Sequence, residues 1–518
     1  MIQKWIRSLT TFLLLSFSVS CAEKKEDNTL LAGLLLFAAN QVKVNTATDL
    51  VNESADDYNQ NNWGLITGQT LNRFVSDWQA NKPSHITGNL IILQTDRANK
   101  ANGGAEGWNP YVKSDPSKGV YVYLLNDYRP DGLPDGLFRF NQTRDSGLFA
   151  NSVRYQANGA YVDDWLNTYG INPTKDLIVF AVGTGNFGTN KDDVVITGAA
   201  PAPGTAAGGV QDITRGVYWL RYWGVDIKNI AILNGNLRSN FSQIYPTQTS
   251  ASKSTLPGKG TFSVKSIRVD NTIITSGLED IYEIAKNNLE AQIPGLTTKQ
   301  FLIDARPTAQ WSGTTAGRLD DDSGTTTAGA NPNGNRTAIT TSYQHSGGPD
   351  AAGKKYIPFE GRIKGSTTFP WLALFEGFSD AGAVSTSDAD AFAIGYRYKS
   401  KAALKAIFTN KGYTSGATVV SQCRTNFEAQ VNGFAALNIL GYPSTYYDGS
   451  LVEWTALVAG HGTSSINQVP SDFKWRTDTS SVSSNLWYNV STLIVRPDIN
   501  LTATTTKKFI QEDKAYKY

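Results

Sequence analysis

The chain is 518 residues long, several times the length of an ordinary domain, which leaves room for two cores of usual size plus decoration. Charged residues make up 18% and aromatics 11%, with 47 glycines and a single methionine, a globular composition that favours strands and turns and argues against disorder along the whole chain. The formal charge of +2, which falls to zero once a leader carrying Lys4 and Arg7 is removed, leaves no electrostatic footprint for nucleic acid.

Lys4 and Arg7 precede an apolar run from Leu9 to Ser20, the layout of a secretory signal and too short to span a bilayer stably. Ser18-Val-Ser-Cys21 resembles a bacterial lipobox. Residues 1–20 then read as a signal peptide and Cys21 as the lipid-modified first residue of an exported, membrane-anchored protein of the cell envelope; the alternative is an ordinary cleaved signal with a stray cysteine. A second apolar run, Leu30 to Ala39, is about half of what a membrane-spanning helix needs and reads as a docking segment or as a short helix on the first domain. Residues 21–60 read as tether and linker.

From Leu65 the pattern is α/β. A helix over Thr70 to Gln79 precedes a strand from Leu90, and then come a strand from Val120, a helix around Tyr161 to Tyr169, a strand from Leu177 to Val182, a helix through Val217 to Trp223 and a strand from Ile230 to Leu233. Strands alternating with helices predict a parallel sheet covered on both faces. The end of this series recurs: Gly235 and Gly449 close similar helix, turn and strand stretches 214 residues apart, and the same step back from Asp304 reaches Leu90. Two copies of one fold explain the spacing.

The second half opens with a helix from Gly277 to Ala285 and a strand from Phe301 that ends in Asp304 and Arg306. A Gly-, Thr-, Asn- and Asp-rich insertion spans 314–355, too long for a simple connection. The stretch Ala417 to Leu440 then reads strand, loop, helix, with Cys423 at the strand's end and Val431, Phe434, Leu437 and Leu440 at helical spacing. Loop N–H groups and a helix start facing the sulfur predict a lowered thiol pKa and a nucleophile; a small residue buried at a strand terminus is the other reading. With Cys21 acylated, Cys423 is the sole thiol and no internal disulfide can form.

Several stretches together resemble the rhodanese family, in its tandem-domain form of thiosulfate and mercaptopyruvate type. Leu302-Ile-Asp-Ala-Arg306 with Trp311 and Gly313 looks like that family's first strand motif, and Gly361-Arg-Ile-Lys-Gly-Ser366 looks like its Gly-His-Ile-Pro-Gly-Ala segment. The cysteine loop, Tyr447-Asp-Gly-Ser450 and Glu453-Trp454 follow in the family's order, and Arg215 to Leu237 is similar to the corresponding helix and strand of its first domain. The resemblance implies two tandem rhodanese-like α/β domains, silent over 61–245 and active over 276–470, with a linker at 246–275 and an extension at 471–518. It implies a sulfurtransferase without cofactor or metal, in which Cys423 takes a sulfane sulfur from a small donor and passes it to a thiol or cyanide-like acceptor. The six-residue loop Cys423, Arg424, Thr425, Asn426, Phe427 and Glu428 is the implied binding loop, with Asp304, Gln310 and Arg362 nearby.

The departures from the family are specific. The family's loop glycine and terminal hydroxyl are replaced by Asn426, Phe427 and Glu428, a donor-gripping arginine by Gln310, and the family histidine by Arg362. A carboxylate beside an anionic sulfur raises the cost of its charge. These changes support a second expectation, an inactive surface scaffold that keeps the fold and binds a partner. Gly183-Thr-Gly-Asn-Phe-Gly188 matches a dinucleotide pattern without a following helix, Asp127, Asp131 and Asp135 and the Asp320 to Asp322 run fit no calcium-loop spacing, and His85, His345 and His461 are scattered.

Overall fold

The computed structural model describes residues 41–95, 111–125, 140–150, 152–183, 208–241, 259–308, 311, 362–383, 385, 396–451, 453–454, 500 and 503–518. The strands of the two main sheets and of the one hairpin are, in chain order, β1 (Gly64–Ile66), β2 (Leu90–Thr95), β3 (Val120–Leu124), β4 (Asn141–Arg144), β5 (Ser152–Gln156), β6 (Leu177–Val182) and β7 (Ile230–Asn236), followed by β8 (Thr275–Ser276), β9 (Gln300–Asp304), β10 (Thr367–Thr368), β11 (Thr418–Gln422) and β12 (Ser444–Tyr447). The principal helices are α1 (Gly68–Ser76), α2 (Gly159–Thr168), α3 (Gly208–Tyr222), α4 (Leu278–Lys286), α5 (Lys401–Asn410), α6 (Glu428–Phe434) and α7 (Lys508–Lys517). Among the described residues no helix is long and apolar enough to cross a membrane.

Each half builds one five-stranded parallel sheet, in the order β1-β7-β6-β2-β3 and, with the same plan, β8-β12-β11-β9-β10. The runs Leu90–Thr95 and Leu177–Val182 are buried along their whole length, as strands covered on both faces must be. Successive residues of β2 serve opposite faces: Leu90 and Ile92 pack with Leu71 and Phe74 of α1, while Ile91 and Leu93 pack with Val162 and Trp165 of α2 and Val217 of α3. In the second half Leu302 and Val420 pack with Ile281 and Ile284 of α4, and Ile303 and Val419 face Leu404 of α5 and Val431 of α6. That last cluster is continuous with the α3 side of the first sheet, and α3 packs against α6. The predicted α/β class, two parallel sheets with helices on both faces, is what the chain adopts.

Register refines the predicted repeat. Leu90 lies opposite Leu177 and Ile178 opposite Ile230, as Gln300 lies opposite Thr418 and Val419 opposite Ser444. Ile230 thus corresponds to Ser444, at the predicted spacing, but Leu90 corresponds to Gln300 and not to Asp304. The right strand was found, and its register is shifted by the unequal lengths of the intervening loops. The first helix is also corrected: α1 stops at Ser76 because Asp77, with extended φ of −150°, caps a new turn at Trp78–Asn81 by accepting the Ala80 N–H at 3.1 Å.

Residues 45–60, read as linker, are packed instead. The helix that follows α6 widens into a π-helix over Ala435–Ile439, which changes where its carbonyls point. Asn52 and Ser54 donate their backbone N–H groups to Leu437 O and Ile439 O, both at 2.9 Å, and the Asn52 amide donates to Asn438 O at 3.0 Å. Leu50 and Tyr58 are buried beside them. Likewise Val264 and Ile274, inside the predicted 246–275 linker, are core residues, and Thr275 already belongs to β8. The hairpin β4–β5 and the terminal helix α7 were not predicted. They are joined by Arg144, whose guanidinium donates to both oxygens of Asp513 at 2.8 and 2.9 Å.

Candidate functional site

β11 is the central strand of the second sheet and ends at Gln422, so Cys423 stands at the carboxyl edge of the sheet, where open α/β folds place ligands. The Cys423 carbonyl accepts the Leu451 N–H at 3.1 Å, and its own N–H donates to Ser450 Oγ at 3.5 Å. The chain then turns through Asn426, held at φ +59°, and enters α6 at Glu428. Asparagine tolerates this left-handed conformation better than most side-chain-bearing residues. The result is that the N–H groups of Thr425 and Ala429 act on the sulfur in favour of its charged form.

The side chain is buried, at 1% exposure, and its thiol is pushed up to about 12, by burial first and then by the charge of Glu428; the two N–H groups act against these, and Asp304 adds a smaller upward push. The expected lowering is therefore corrected. The cradle predicted from strand, loop and helix is present, but two N–H dipoles do not offset full desolvation and a neighbouring carboxylate.

Around the sulfur the loop is wired to its own protein. Glu428 is buried and ion-paired with Arg424 one helical turn away in sequence. Thr425 is buried at 9% exposure. The Asn426 amide donates to Asp448 Oδ1 at 2.6 Å, and its carbonyl accepts from Arg215 Nη1 at 3.2 Å. The Arg215 guanidinium also lies 4.8 Å from the centre of the Phe427 ring. Asp304 is fully buried and takes a fork of hydrogen bonds from Arg306, with Nε at 2.9 Å and Nη2 at 2.6 Å, so in this arrangement its carboxylate is engaged internally. Arg362 stacks on Trp311, its guanidinium carbon 4.0 Å from the ring centre. Gln310, Cys21, the 314–355 insertion, residues 184–188, the aspartates at 127, 131, 135 and 320–322, and His345 and His461 lie outside the described residues.

Three residues quoted only as parts of motifs turn out to hold the loop. Asp448 accepts from Arg215 Nη1 at 3.0 Å on one oxygen and from the Gln156 N–H at 2.8 Å on the other. Ser450 braces the Cys423 backbone, and Glu453 accepts the Tyr155 and Tyr447 hydroxyls, each at 2.9 Å. An acid in an Asp-Gly turn directly after a core strand was the available signal for Asp448. Nothing in the sequence paired it with Arg215.

Chemically the arrangement keeps one sulfur away from water, with main-chain N–H groups that favour its charged form. It disfavours a free thiolate while Glu428 stays charged and close.

No family model matches the chain, and no curated protein matches it. Among solved structures it is similar to the Tum1 protein from Saccharomyces cerevisiae, at 13% identity over 76% of this chain and 95% of that one, with a TM-score of 0.42. It is similar as well to an anaerobic ergothioneine biosynthesis enzyme from Chlorobium limicola, at 14% identity over 77% and 69% with a TM-score of 0.42, and to the 3-mercaptopyruvate sulfotransferase SseA from Escherichia coli, at 14% over 75% and 98% with a TM-score of 0.37. All three are distant likenesses.

Proposed function

We propose that this chain is a sulfurtransferase that carries a sulfane sulfur on Cys423. The reading rests above all on one observation: the sole free thiol among the described residues follows directly on the central strand, at the turn into α6, where the Thr425 and Ala429 N–H groups favour its charged form. Main-chain donors preorganised at a point where charge will reside stabilise that charge without reorganisation. In the first displacement the Cys423 thiolate attacks the outer sulfur of a donor such as thiosulfate or 3-mercaptopyruvate. With thiosulfate the S–S bond breaks and sulfite leaves with its electrons. With 3-mercaptopyruvate the C–S bond breaks, and the enolate of pyruvate leaves and takes up the proton of the donor thiol. Either way Cys423 holds the persulfide. In the second, a thiol or cyanide-like acceptor attacks the outer sulfur and the Cys423 thiolate departs with the electrons of that bond, so no outside oxidant or reductant enters. Arg424 to Glu428 form the loop around the sulfur, with Asp304, Gln310 and Arg362 as neighbours that shape it. The domain over 61–245, which has no cysteine, is catalytically silent.

Because the resting thiol is pushed up to about 12, the Arg424–Glu428 pair must shift when an anionic donor arrives. Arg424 then faces the donor and the carboxylate turns away. The same burial favours a second reading, a scaffold that has kept the fold and lost the chemistry.

Intact-mass measurement after incubation with thiosulfate or 3-mercaptopyruvate separates the two. A gain of one sulfur, about 32 Da, that Cys423→Ser abolishes is the enzyme's result; no gain with either donor leaves the scaffold. The chain is further proposed to be exported and anchored through acylated Cys21. Labelling with radioactive palmitate tests this, and an unlabelled mature protein would return Cys21 to the discarded leader.

A further inference from the structure

The segment that follows Cys423 has a surplus of hydrogen-bond acceptors. From Asn426 to Asn432 the buried side-chain atoms without a hydrogen-bond partner are four oxygens, on Asn426, Glu428, Gln430 and Asn432, and one nitrogen, on Gln430. Buried polar atoms in folded proteins are nearly all paired, so orphaned acceptors grouped beside the sulfur mark where a donor from outside the chain belongs.

Two of these oxygens form a set. Glu428 and Asn432 stand four residues apart on α6 and so share one of its faces. Glu428 is 6% exposed; Arg424 takes its Oε1, and Oε2 has no partner. Asn432 is fully buried, and its amide donates to Phe369 O at 2.7 Å, which fixes its oxygen as the orphaned atom. Phe369 in turn donates its N–H to Asp304 O at 2.8 Å, and Asp304 lies opposite Gln422, so Asn432 is tied to the sheet edge at which Cys423 stands. The buried guanidiniums of Arg215 and Arg306 are held by Asp448 and Asp304. A carboxylate oxygen and an amide oxygen can only accept, and the first carries charge.

We infer that the sulfur acceptor is a small thiol bearing an ammonium group, whose N–H donors are received by Glu428 Oε2 and Asn432 Oδ1. The inference rests on the sulfur-transfer reading and names the acceptor for its second displacement. There the acceptor's sulfur bonds to the outer sulfur, the bond from the outer sulfur to Sγ breaks with its electrons on Sγ, and the proton of the acceptor thiol ends on Sγ. The bound ammonium holds the attacking thiol in place. Its charge also offsets that of Glu428, the largest charge acting against an anionic Cys423 sulfur, as that sulfur departs. The shift of the Arg424–Glu428 pair, which an anionic donor already demands, is what opens the two oxygens.

Three acceptors of similar length vary the charge: cysteamine, 2-mercaptoethanol and 3-mercaptopropionate. The full chain is loaded from thiosulfate or 3-mercaptopyruvate, freed of donor and mixed with each. Loss of the added sulfur is followed by intact mass, and each rate is divided by the thiolate fraction of its acceptor. Cysteamine is expected to discharge Cys423 about tenfold faster than 2-mercaptoethanol, the worth of one charge-assisted hydrogen bond, with 3-mercaptopropionate slowest. Glu428→Gln is expected to bring the ratio of cysteamine to 2-mercaptoethanol close to unity, and Asn432→Leu to lower it by about threefold. Equal rates for the three acceptors in the parent chain, or a ratio that Glu428→Gln leaves unchanged, overturn the inference and leave sulfur transfer standing. A chain that loads no sulfur from either donor removes the transfer reading and this inference with it.

Discussion

Arg215 Nη1 lies 3.0 Å from Asp448 Oδ1, and neither side chain has any exposed surface. Arg215 sits on α3, behind the first sheet, and Asp448 follows β12 of the second, so this pair ties the first half to the turn that braces Cys423. It is not an isolated contact. The same aspartate receives the Asn426 amide, and the same arginine donates to the Asn426 carbonyl, which makes the shape of the cysteine loop depend on a residue more than two hundred positions upstream. This gives the first half a task in holding the cysteine loop.

Arg215→Met tests that task. Removing one member of a buried pair strands the other charge, so the variant is expected to lose about 3–5 kcal/mol of unfolding free energy. Urea denaturation followed by tryptophan fluorescence measures it. Arg215→Met/Asp448→Asn is expected to recover part of the loss, because the stranded carboxylate is gone. A single variant as stable as the parent would mean that the pair adds nothing across the halves.

Asn426 combines two roles that substitution can separate. Its φ of +59° is a conformation that glycine adopts freely and alanine does not, whereas its amide bond to Asp448 is lost in either variant. Asn426→Ala is therefore expected to be less stable than Asn426→Gly by about 1 kcal/mol, the left-handed penalty alone. Thermal denaturation of the two variants side by side gives the difference, and equal stability would remove backbone strain from the account.

Much of this fold was legible because its strands are buried on both faces. Runs such as Leu177–Val182 and Leu90–Thr95 carry their signal in a few contiguous residues, and the recurrence of Gly235 at Gly449 exposed the duplication. What stayed hidden was held by polar groups. Residues 45–60 look like linker because they are rich in Asn, Asp, Ser and Thr, yet those backbones and amides satisfy carbonyls turned outward by the π-helix at Ala435–Ile439. Position and type sufficed to find Cys423 as the end of a central strand. Its protonation did not follow from them, since it depends on how deeply Glu428 and the loop are folded in, a three-dimensional quantity with no local pattern.

The terminal helix α7 should be held by its buried polar cluster rather than by apolar area. Beyond Phe509 and Ile510 it buries Asp513, which takes Arg144 at 2.8 and 2.9 Å and the Tyr222 hydroxyl at 2.7 Å. Arg144→Met leaves Asp513 without its cation and is expected to cost about 3–5 kcal/mol in urea denaturation. It should also make α7 the first segment cut in limited proteolysis. If the variant resists protease as the parent does, the docking comes from Phe509 and Ile510 instead.

Gly433 sets how closely α6 can approach the sheet. A Cβ built there would sit 2.0 Å from Cε1 and 2.4 Å from Cζ of the Tyr446 ring, a buried and rigid neighbour that cannot swing aside. Gly433→Ala is expected to cost about 1–3 kcal/mol as overpacking, despite the better helix propensity of alanine. Gly433→Ala/Tyr446→Leu, which removes the ring edge, should recover much of it. Denaturation midpoints at equal m-value decide the matter, and a stable single variant would show that α6 can lift without penalty.

Reactivity at Cys423 supplies a pH test with a definite sign. The thiolate is the species that reacts, and the folded thiol is pushed up to about 12, so alkylation by iodoacetamide in the native protein should be far slower at neutral pH than for an unfolded control. Its rate should climb by about tenfold per pH unit on the approach to 12. Stability changes in the same window: the unfolded thiol loses its proton first, so the contribution of the protonated native thiol is complete below the ordinary thiol value and is lost as pH rises toward about 12. Glu428→Gln removes the largest charge cause of the shift, and alkylation at a given pH should then rise by about tenfold. If native Cys423 alkylates at neutral pH as fast as the unfolded control, or if Glu428→Gln leaves the rate where it was, burial and that carboxylate do not set the state of the thiol.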